Sequence, residues 1–405
     1  MKVNRVEQTQ INKKHPMWKV IDQFSYYSKN LYNYANYIIR QEFINNGKYI
    51  KYREMDKNLK VTEPYKQLMS QASQCTLQML DRCWNSFFQG MKQYKKNPDK
   101  FLGRPKLPKY KKKDGRYPWI LKNNQIHFKD GYLWFKLRVF NGYKFKTHLT
   151  DNDRIISIRF IPRGYIYVLE IVYEKEIPAI EKTKSKRIIS IDLGVNNFTT
   201  ITNNIGKSPI IINGKGIKSI NQFYNKRRAK IQSKLKKINN KEWSNRLDKI
   251  TLKRNNRVKN FMNNASKRII EYCKCLEIDI IVVGKNDGWK QNSKLRDKTN
   301  QHFIGIPYEL FIHMLEYKGQ DVGIKIIQHE ESYTSGTSFL DNELPIKQNY
   351  NKNRRVKRGL FKSNSGILIN SDVNGSLQIM RKVFPNAITS YGIEGSLTPI
   401  IINVI

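Results

Sequence analysis

Beyond residue 187 the chain alternates short, mostly apolar runs with long amphipathic ones, and this order leaves few ways to close a core. Ile188-Ile189-Ser190-Ile191-Asp192-Leu193-Gly194 reads as a buried strand ending near an acid. Phe198-Thr199-Thr200-Ile201 and Ile210-Ile211-Ile212 follow, and two hairpin turns join the three runs into an antiparallel unit. From residue 218 to 259, Ile220, Tyr224, Ile231, Leu235 and Ile238 recur at helical spacing among 15 Lys and Arg and only 2 acids. This predicts a long basic helix, broken at Asn239-Asn240 and resumed through Cys273. A strand at Ile280-Ile281-Val282-Val283, a helix from Pro307, a strand at Ile324-Lys325-Ile326-Ile327 and a last helix from Asp372 complete the series βββ–α–β–α–β–α. A mixed sheet with helices on both faces accommodates that series.

The order is that of an RNase H-like sheet. Upstream of it the pattern differs. Trp18, Ile21, Phe24, Leu31, Ala35, Ile38 and Ile39 predict an amphipathic helix to Phe43, and a second helical stretch runs from Pro64 to Tyr94. Residues 92–116 hold 11 Lys and Arg, 2 Asp and three prolines, which block a regular helix and suit a basic clamp loop. Residues 117–175 are rich in aromatic and β-branched side chains punctuated by Asp130-Gly131 and Asn141-Gly142, a pattern that fits a small antiparallel barrel.

Charge narrows the class of partner. With 75 Lys and Arg against 33 Asp and Glu, the 405-residue chain carries +42. Such an excess repels itself unless a polyanion neutralises it, and nucleic acid does so with release of counterions. An AT-rich genome inflates Lys and Asn together, but it does not explain scarce acids. Hydrophobic residues at 39% and aromatics at 12% exclude a wholly disordered chain. No apolar run approaches the ~18 residues of a membrane span, and the N-terminus lacks the apolar core of an export signal. We therefore expect a cytoplasmic, nucleoid-associated protein of a bacterial cell with no membrane partner. Cys75, Cys83, Cys273 and Cys275 lack the spacing of a zinc ribbon and are expected to be core thiols.

Four acids merit chemical attention. Asp192 closes an apolar strand, where a carboxylate is costly unless a metal or hydrogen bond satisfies it. Asp372 opens the last helix, where it serves equally as a metal ligand or an N-cap. Glu330 and Glu331 follow the strand at 324–327, and strand alternation lets only one of them face a shared cleft. Carboxylates from three elements suit two-metal phosphodiester hydrolysis by Mg²⁺, which prefers oxygen ligands.

The motifs Ile191-Asp192-Leu193-Gly194-Val195-Asn196-Asn197-Phe198, Glu331-Ser332-Tyr333-Thr334-Ser335 and Asn370-Ser371-Asp372-Val373-Asn374-Gly375 give the chain a resemblance to the TnpB family, the OrfB proteins of insertion sequences. Supporting matches are Phe261-Met262-Asn263-Asn264-Ala265-Ser266, Ile281-Val282-Val283-Gly284-Lys285-Asn286 and Phe87-Phe88-Gln89-Gly90. The resemblance implies an α/β multidomain protein. A wedge-like β-barrel (1–16 and 100–180) would carry a helical recognition insert (17–99). A RuvC-type, RNase H-like nuclease domain (181–332 and 366–405) would be interrupted by a basic nucleic-acid-binding insert (333–365). It also implies guide RNA and double-stranded target DNA as partners.

Asp192 matches the family's first catalytic aspartate and Asp372 its last. The usual second carboxylate falls on Gly284, which has no side chain to offer. Some relatives carry a relocated glutamate three residues before a Thr-Ser pair, which here is Glu331, with Glu330 and Asp287 as weaker candidates. The resemblance thus implies Asp192, Glu331 and Asp372 as catalytic metal ligands. The family's zinc-ribbon cysteines are missing, so no zinc is expected and the insert is expected to hold phosphate by charge. Expected backbone contacts are Lys106, Lys109, Lys111 and Lys112; Arg227, Arg228, Arg254 and Arg257; and Arg354, Arg355, Lys357 and Arg358, with Tyr110 and Trp119 as candidates for base stacking, although core packing is the commoner role for Trp119. The function so implied is a transposon-encoded, Mg²⁺-dependent, RNA-guided DNA endonuclease. A nuclease-dead guided repressor and a conventional RNA-independent transposase are the alternatives.

Overall fold

The computed structural model describes residues 1–178, 187–286, 288, 297–357, 359–388 and 397–404. The chain separates into two compact units, Lys2–Glu176 and Ile177–Ile405, the second including Met1.

In the first unit, β1 (Lys2–Ile11) is followed by α1 (Trp18–Asn46), α2 (Tyr52–Leu59), α3 (Glu63–Lys66) and α4 (Ser70–Lys96). The helical stretch expected from Pro64 is therefore two helices, and α2 lies in a segment to which the sequence reading assigned no element. Strands β2 (Trp119–Lys122), β3 (Ile126–Lys129), β4 (Tyr132–Phe135), β5 (Phe145–Lys146), β6 (Arg154–Arg163) and β7 (Ile166–Glu176) complete the unit. They form a four-stranded sheet, β1-β7-β6-β2, and a three-stranded sheet, β3-β4-β5. The two sheets share one apolar core but appear as separate hydrogen-bonded sheets where a single small barrel was expected. Central β7 is buried along most of its length, whereas edge strand β1 alternates.

Trp119 is fully buried and stacks on Phe160 with centroids 4.1 Å apart, so it is core rather than a base platform. The basic segment before it is no slack linker. Asn33 of α1 pairs with the Lys111 backbone in both directions, at 2.8 and 2.9 Å, and Asn36 and Arg40 each donate to the Pro108 carbonyl at 3.0 Å. Prolines keep the segment out of a helix, and α1 satisfies the backbone carbonyls so released.

The second unit is built on β8 (Ile188–Leu193), β9 (Asn197–Asn203), β10 (Ile210–Asn213), β11 (Ile280–Gly284), β12 (Lys325–His329) and, after two short strands, β15 (Ile400–Ile402). Their order is β12-β11-β8-β9-β10-β15. β8, β9 and β10 form an antiparallel meander, while β11 and β12 run parallel to β8. This is the expected RNase H-like order. Helices α5 (Lys215–Asn239) and α6 (Asn245–Cys275) break between 239 and 245 as the sequence implies, and α7 (Asp297–Ile304), α8 (Tyr308–Gln320) and α9 (Ser371–Val383) follow.

Strand alternation assigns the two faces. Ile189, Ile191, Ile281 and Val283 pack with Phe261 of α6 and Phe311 of α8, whereas Ile188, Ile280 and Val282 pack with Ile379 and Met380 of α9. Cys75 and Cys273 are buried as expected, but Cys83 is half-buried, and Cys275, two residues on from Cys273 and so on the opposite face of α6, is exposed. The insert after β12 contains β13 (Leu360–Lys362), paired with β14 (Leu368–Asn370). Phe339 and Phe361 form a small core with Val373 and Leu377 of α9. Arg354 pairs with Glu343, and Arg381 of α9 donates to the Phe339 carbonyl at 3.1 Å while lying over that ring. This packing and these charged hydrogen bonds hold the insert to α9.

Candidate active site

The parity that sends Ile188 and Ser190 towards α9 sends Asp192 there too, at the carboxyl end of β8. On the neighbouring strand the same parity, Ile280 and Val282, ends at Gly284. α9 is drawn close to these strands by a buried hydroxyl network. Ser376 donates to the Ser190 carbonyl at 3.0 Å, and Ser190, Thr202 and Ser376 meet through their hydroxyls at 2.7–3.1 Å. The first turn of α9 therefore lies beside the end of β8 and brings Asp372 with it.

Asp372 is not the N-cap. Asn370 takes that role, accepting from the backbone N–H groups of Asp372 and Val373 at 2.9 and 3.2 Å. The Asp372 carboxylate is left to accept from Asn197 Nδ2 at 2.7 Å and to face Arg355, 3.7 Å away.

The two adjacent glutamates separate cleanly. Glu330 points outward and is held by Lys382 of α9 at 2.8 Å, which together with the Ser332 hydroxyl holds its carboxyl below the usual range. Glu331 turns inward. Its backbone N–H donates to Asn286 Oδ1 at 3.0 Å, and Asn286 Nδ2 approaches its Oε1 at 3.4 Å. Its Oε2 is buried with no hydrogen-bond partner. A Cβ added at Gly284 would lie 2.8 Å from that oxygen and 2.5 Å from Ile379 Cδ1. The missing side chain on β11 is the space that Glu331 and Ile379 fill.

That closeness gives a stability prediction. Gly284→Ala forces Ile379 and Glu331 apart and costs about 1–3 kcal/mol. Denaturant unfolding of the full chain measures it, and a variant as stable as the parent would show that the gap is loose.

Burial, then the neighbouring Glu331 and Asp372 charges, raise the Asp192 carboxyl well above its ordinary value. Glu331 is pushed up to about 7 by burial and by Glu330, against the pull of Lys382. Tyr308 donates to the Gly194 carbonyl at 2.9 Å, and its hydroxyl is pushed up by burial and by the Asp192 and Glu331 charges. Asp192 and Glu331 line a cavity of about 330 Å³ together with Asn286, Tyr333, Tyr350 and Arg355. Among the described residues no three His, Cys, Asp or Glu side chains converge, as they stand, on a metal-sized point. The donor set still fits a hard divalent cation: it is all oxygen, mutually repelling, and includes an orphaned carboxylate oxygen.

With this geometry in hand, comparison with known proteins gives consistent matches. The sequence profile of the IS605-type OrfB proteins, described as a probable transposase, matches residues 170–290, and that of the Cas12f1-like TNB domain matches residues 308–379. The TnpB-like protein ORF457 of Acidianus two-tailed virus is 24% identical over 387 residues, covering 88% of this chain and 81% of that protein. Together these matches support assigning the chain to the TnpB family. Solved structures similar to this chain include a Cas12f1–sgRNA–target DNA complex, at 15% identity over 93% of this chain and 98% of that one, with a TM-score of 0.37. CasPhi-2 (Cas12j) bound to crRNA is similar at 9% identity over 96% and 99%, with a TM-score of 0.43. The first profile match contains Asp192 and the second contains Glu331 and Asp372.

The basic residues expected to meet phosphate divide into two groups. Lys106, Lys109, Lys112, Arg227, Arg228, Arg257 and Lys357 are exposed, and Arg355 is exposed at the rim of the carboxylate cavity. Lys111 instead lies over the Tyr32 and Tyr117 rings, Arg354 is engaged by Glu343 and Asn364, and Arg254 donates to Asn221, Asn255 and the Gly305 carbonyl. These three brace the fold. Tyr110 is 46% exposed with Arg40 over its ring. Arg358 and Asp287 lie outside the described residues. Sequence reasoning had not given roles to Asn197, at the start of β9, and Asn286, just after β11, whose partners Asp372 and Glu331 are distant in sequence.

Proposed function

We propose that this TnpB-family chain is an RNA-guided DNA endonuclease of transposon origin, with Asp192, Glu331 and Asp372 as its catalytic carboxylates. The observation that carries the reading is Glu331 Oε2, buried and unpartnered in the space that Gly284 leaves beside Asp192. A decayed site has no reason to keep an uncompensated carboxylate there. That argues against the repressor reading, whose motive was the missing side chain at Gly284.

Asp192, Glu331 and Asp372 would hold Mg²⁺, which when bound supplies an activated water and neutralises charge on the phosphate. The chain's own residues do the rest. Asn197 and Asn286 orient the two flanking carboxylates with neutral amide donors and leave their charge intact. Arg355, facing Asp372, is placed to meet a phosphate oxygen. The exposed lysines of 106–112 and the exposed arginines of α5 and α6 would track nucleic-acid backbones. The unit Lys2–Glu176 would provide the wedge and recognition roles, and the insert 333–365 would hold DNA or RNA by charge. No zinc is assigned to it. A cytoplasmic, nucleoid-associated location fits that partner; no helix among the described residues is long and apolar enough to cross a membrane.

Sequencing the RNA that co-purifies with the chain tests the guided reading. The complex is then given Mg²⁺ and a plasmid library with a guide-matched target beside randomised bases. Cutting with one flank enriched is expected. Flank-specific binding without cutting would return the repressor, and recognition of element ends without bound RNA would establish a conventional transposase.

A further inference from the structure

Two exposed aromatic rings stand in the wall of the carboxylate cavity, and neither the fold nor metal holding accounts for them. Tyr333 and Tyr350 are 39% and 40% exposed, with centroids 5.9 Å apart and planes at 72°. Each lines the cavity that Asp192, Glu331 and Arg355 also line.

Both rings are held there by costly local structure. Tyr333 has φ +66°, a left-handed backbone that a bulky residue adopts only when its surroundings impose it. The turn that imposes it is braced on either side. Thr334 Oγ1 donates to the Glu331 carbonyl at 2.8 Å, and Thr337 Oγ1 donates to the Tyr333 carbonyl at 3.0 Å. The Tyr350 ring lies directly against Gly336, where an added Cβ would come within 2.5 Å of Cε2. Asn351 N–H donates to the Gly336 carbonyl at 2.9 Å and fixes that approach. Both rings remain partly open towards a polar cavity.

We propose that Tyr333 and Tyr350 are specificity-determining residues that grip the nucleobase beside the scissile phosphate; this rests on reading the carboxylates as a nuclease centre. An aromatic ring accepts the flat face of any base, but only a base that has left its duplex stack offers that face. The cavity therefore combines carboxylates for the reacting phosphate, Arg355 for a non-reacting oxygen and two rings for the adjacent base. It selects an unpaired strand, with little preference among the four bases.

Photocrosslinking tests the grip without requiring cleavage. The full chain with its co-purified RNA is mixed with a single-stranded DNA 12-mer in which every base is 5-iodouracil, in Ca²⁺, then irradiated and digested for mass spectrometry. Adducts on Tyr333 or Tyr350 are expected. For the guide-matched DNA, Tyr333→Leu and Tyr350→Leu raise KM by roughly five- to hundredfold; Tyr333→Phe and Tyr350→Phe stay at the parental value. Adducts confined to other residues, or Leu variants with unchanged KM, overturn the inference even if the parent cuts DNA. A parent that gives these adducts but never cuts overturns the nuclease reading and leaves the base grip standing.

Discussion

Glu331→Ala abolishes DNA cutting, by at least about a thousandfold, while Glu330→Ala stays within a few-fold of the parent. The size follows from charge stabilisation: a lost metal-holding carboxylate removes several kcal/mol of transition-state stabilisation, and each 1.36 kcal/mol is tenfold in rate. The contrast follows from the structure. Glu330 and Glu331 are adjacent, yet Lys382 holds the first at the surface and Gly284 admits the second to the cavity. RNA and DNA binding are expected to survive both substitutions, because the exposed basic residues lie elsewhere on the sequence. Filter binding beside a cleavage time course reads both properties. Cutting retained in Glu331→Ala and lost in Glu330→Ala would reverse the assignment.

In chelator, Glu331→Gln makes the protein more stable at pH 8, and most of the gain disappears by pH 4.5. The folded-state pKa is raised to about 7, against roughly 4.3 unfolded. Below the unfolded value both states are protonated, and the group contributes nothing. Between the two values only the unfolded chain ionises, so stability falls as pH rises. Above the folded value the whole cost is present. A shift of that size corresponds to an upper bound of about 4 kcal/mol, and partial exposure reduces it to roughly 1–3. Glutamine keeps the shape and an acceptor for Asn286 but removes the charge. Thermal melts of the two proteins are expected to differ by about 2–10 °C at pH 8. Equal melting at both pH values would mean that Glu331 is well solvated or already compensated.

The sheet was legible because its strands are mostly apolar or β-branched and its helices carry a clear 3.6-residue period. Asp192 stood out for the same reason, as a charge at the end of Ile188-Ile189-Ser190-Ile191. Alternation could limit the glutamate pair to one inward member but could not say which. That choice depends on Lys382 and Gly284, which lie far away in the chain and meet Glu330 and Glu331 only in the fold. The positioning amides were hidden for the same reason: Asn197 and Asn286 look like ordinary loop residues until Asp372 and Glu331 are beside them.

Charge was legible as a sum and not residue by residue. Arg354 and Lys357 look alike in a basic run, but Arg354 meets Glu343 across 11 residues and becomes a brace. Trp119 had a similar ambiguity. An aromatic residue after a basic loop suits a stacking platform, and only the Phe160 ring behind it shows that it is core. Separate four- and three-stranded sheets stand where one small barrel was expected, because short β3 and β4 pair through the tight turn at Asp130-Gly131 and β5 pairs back onto β4 after a longer connection.

The most direct test of the central claim is a time course on one linear guide-matched DNA, using the chain with its own RNA, in Mg²⁺ and in EDTA. Asp192→Ala is run beside the parent. The account predicts cutting by the parent in Mg²⁺ only, and uncut DNA bound with parental affinity by Asp192→Ala. Cutting by Asp192→Ala, or by the parent in EDTA, would contradict it.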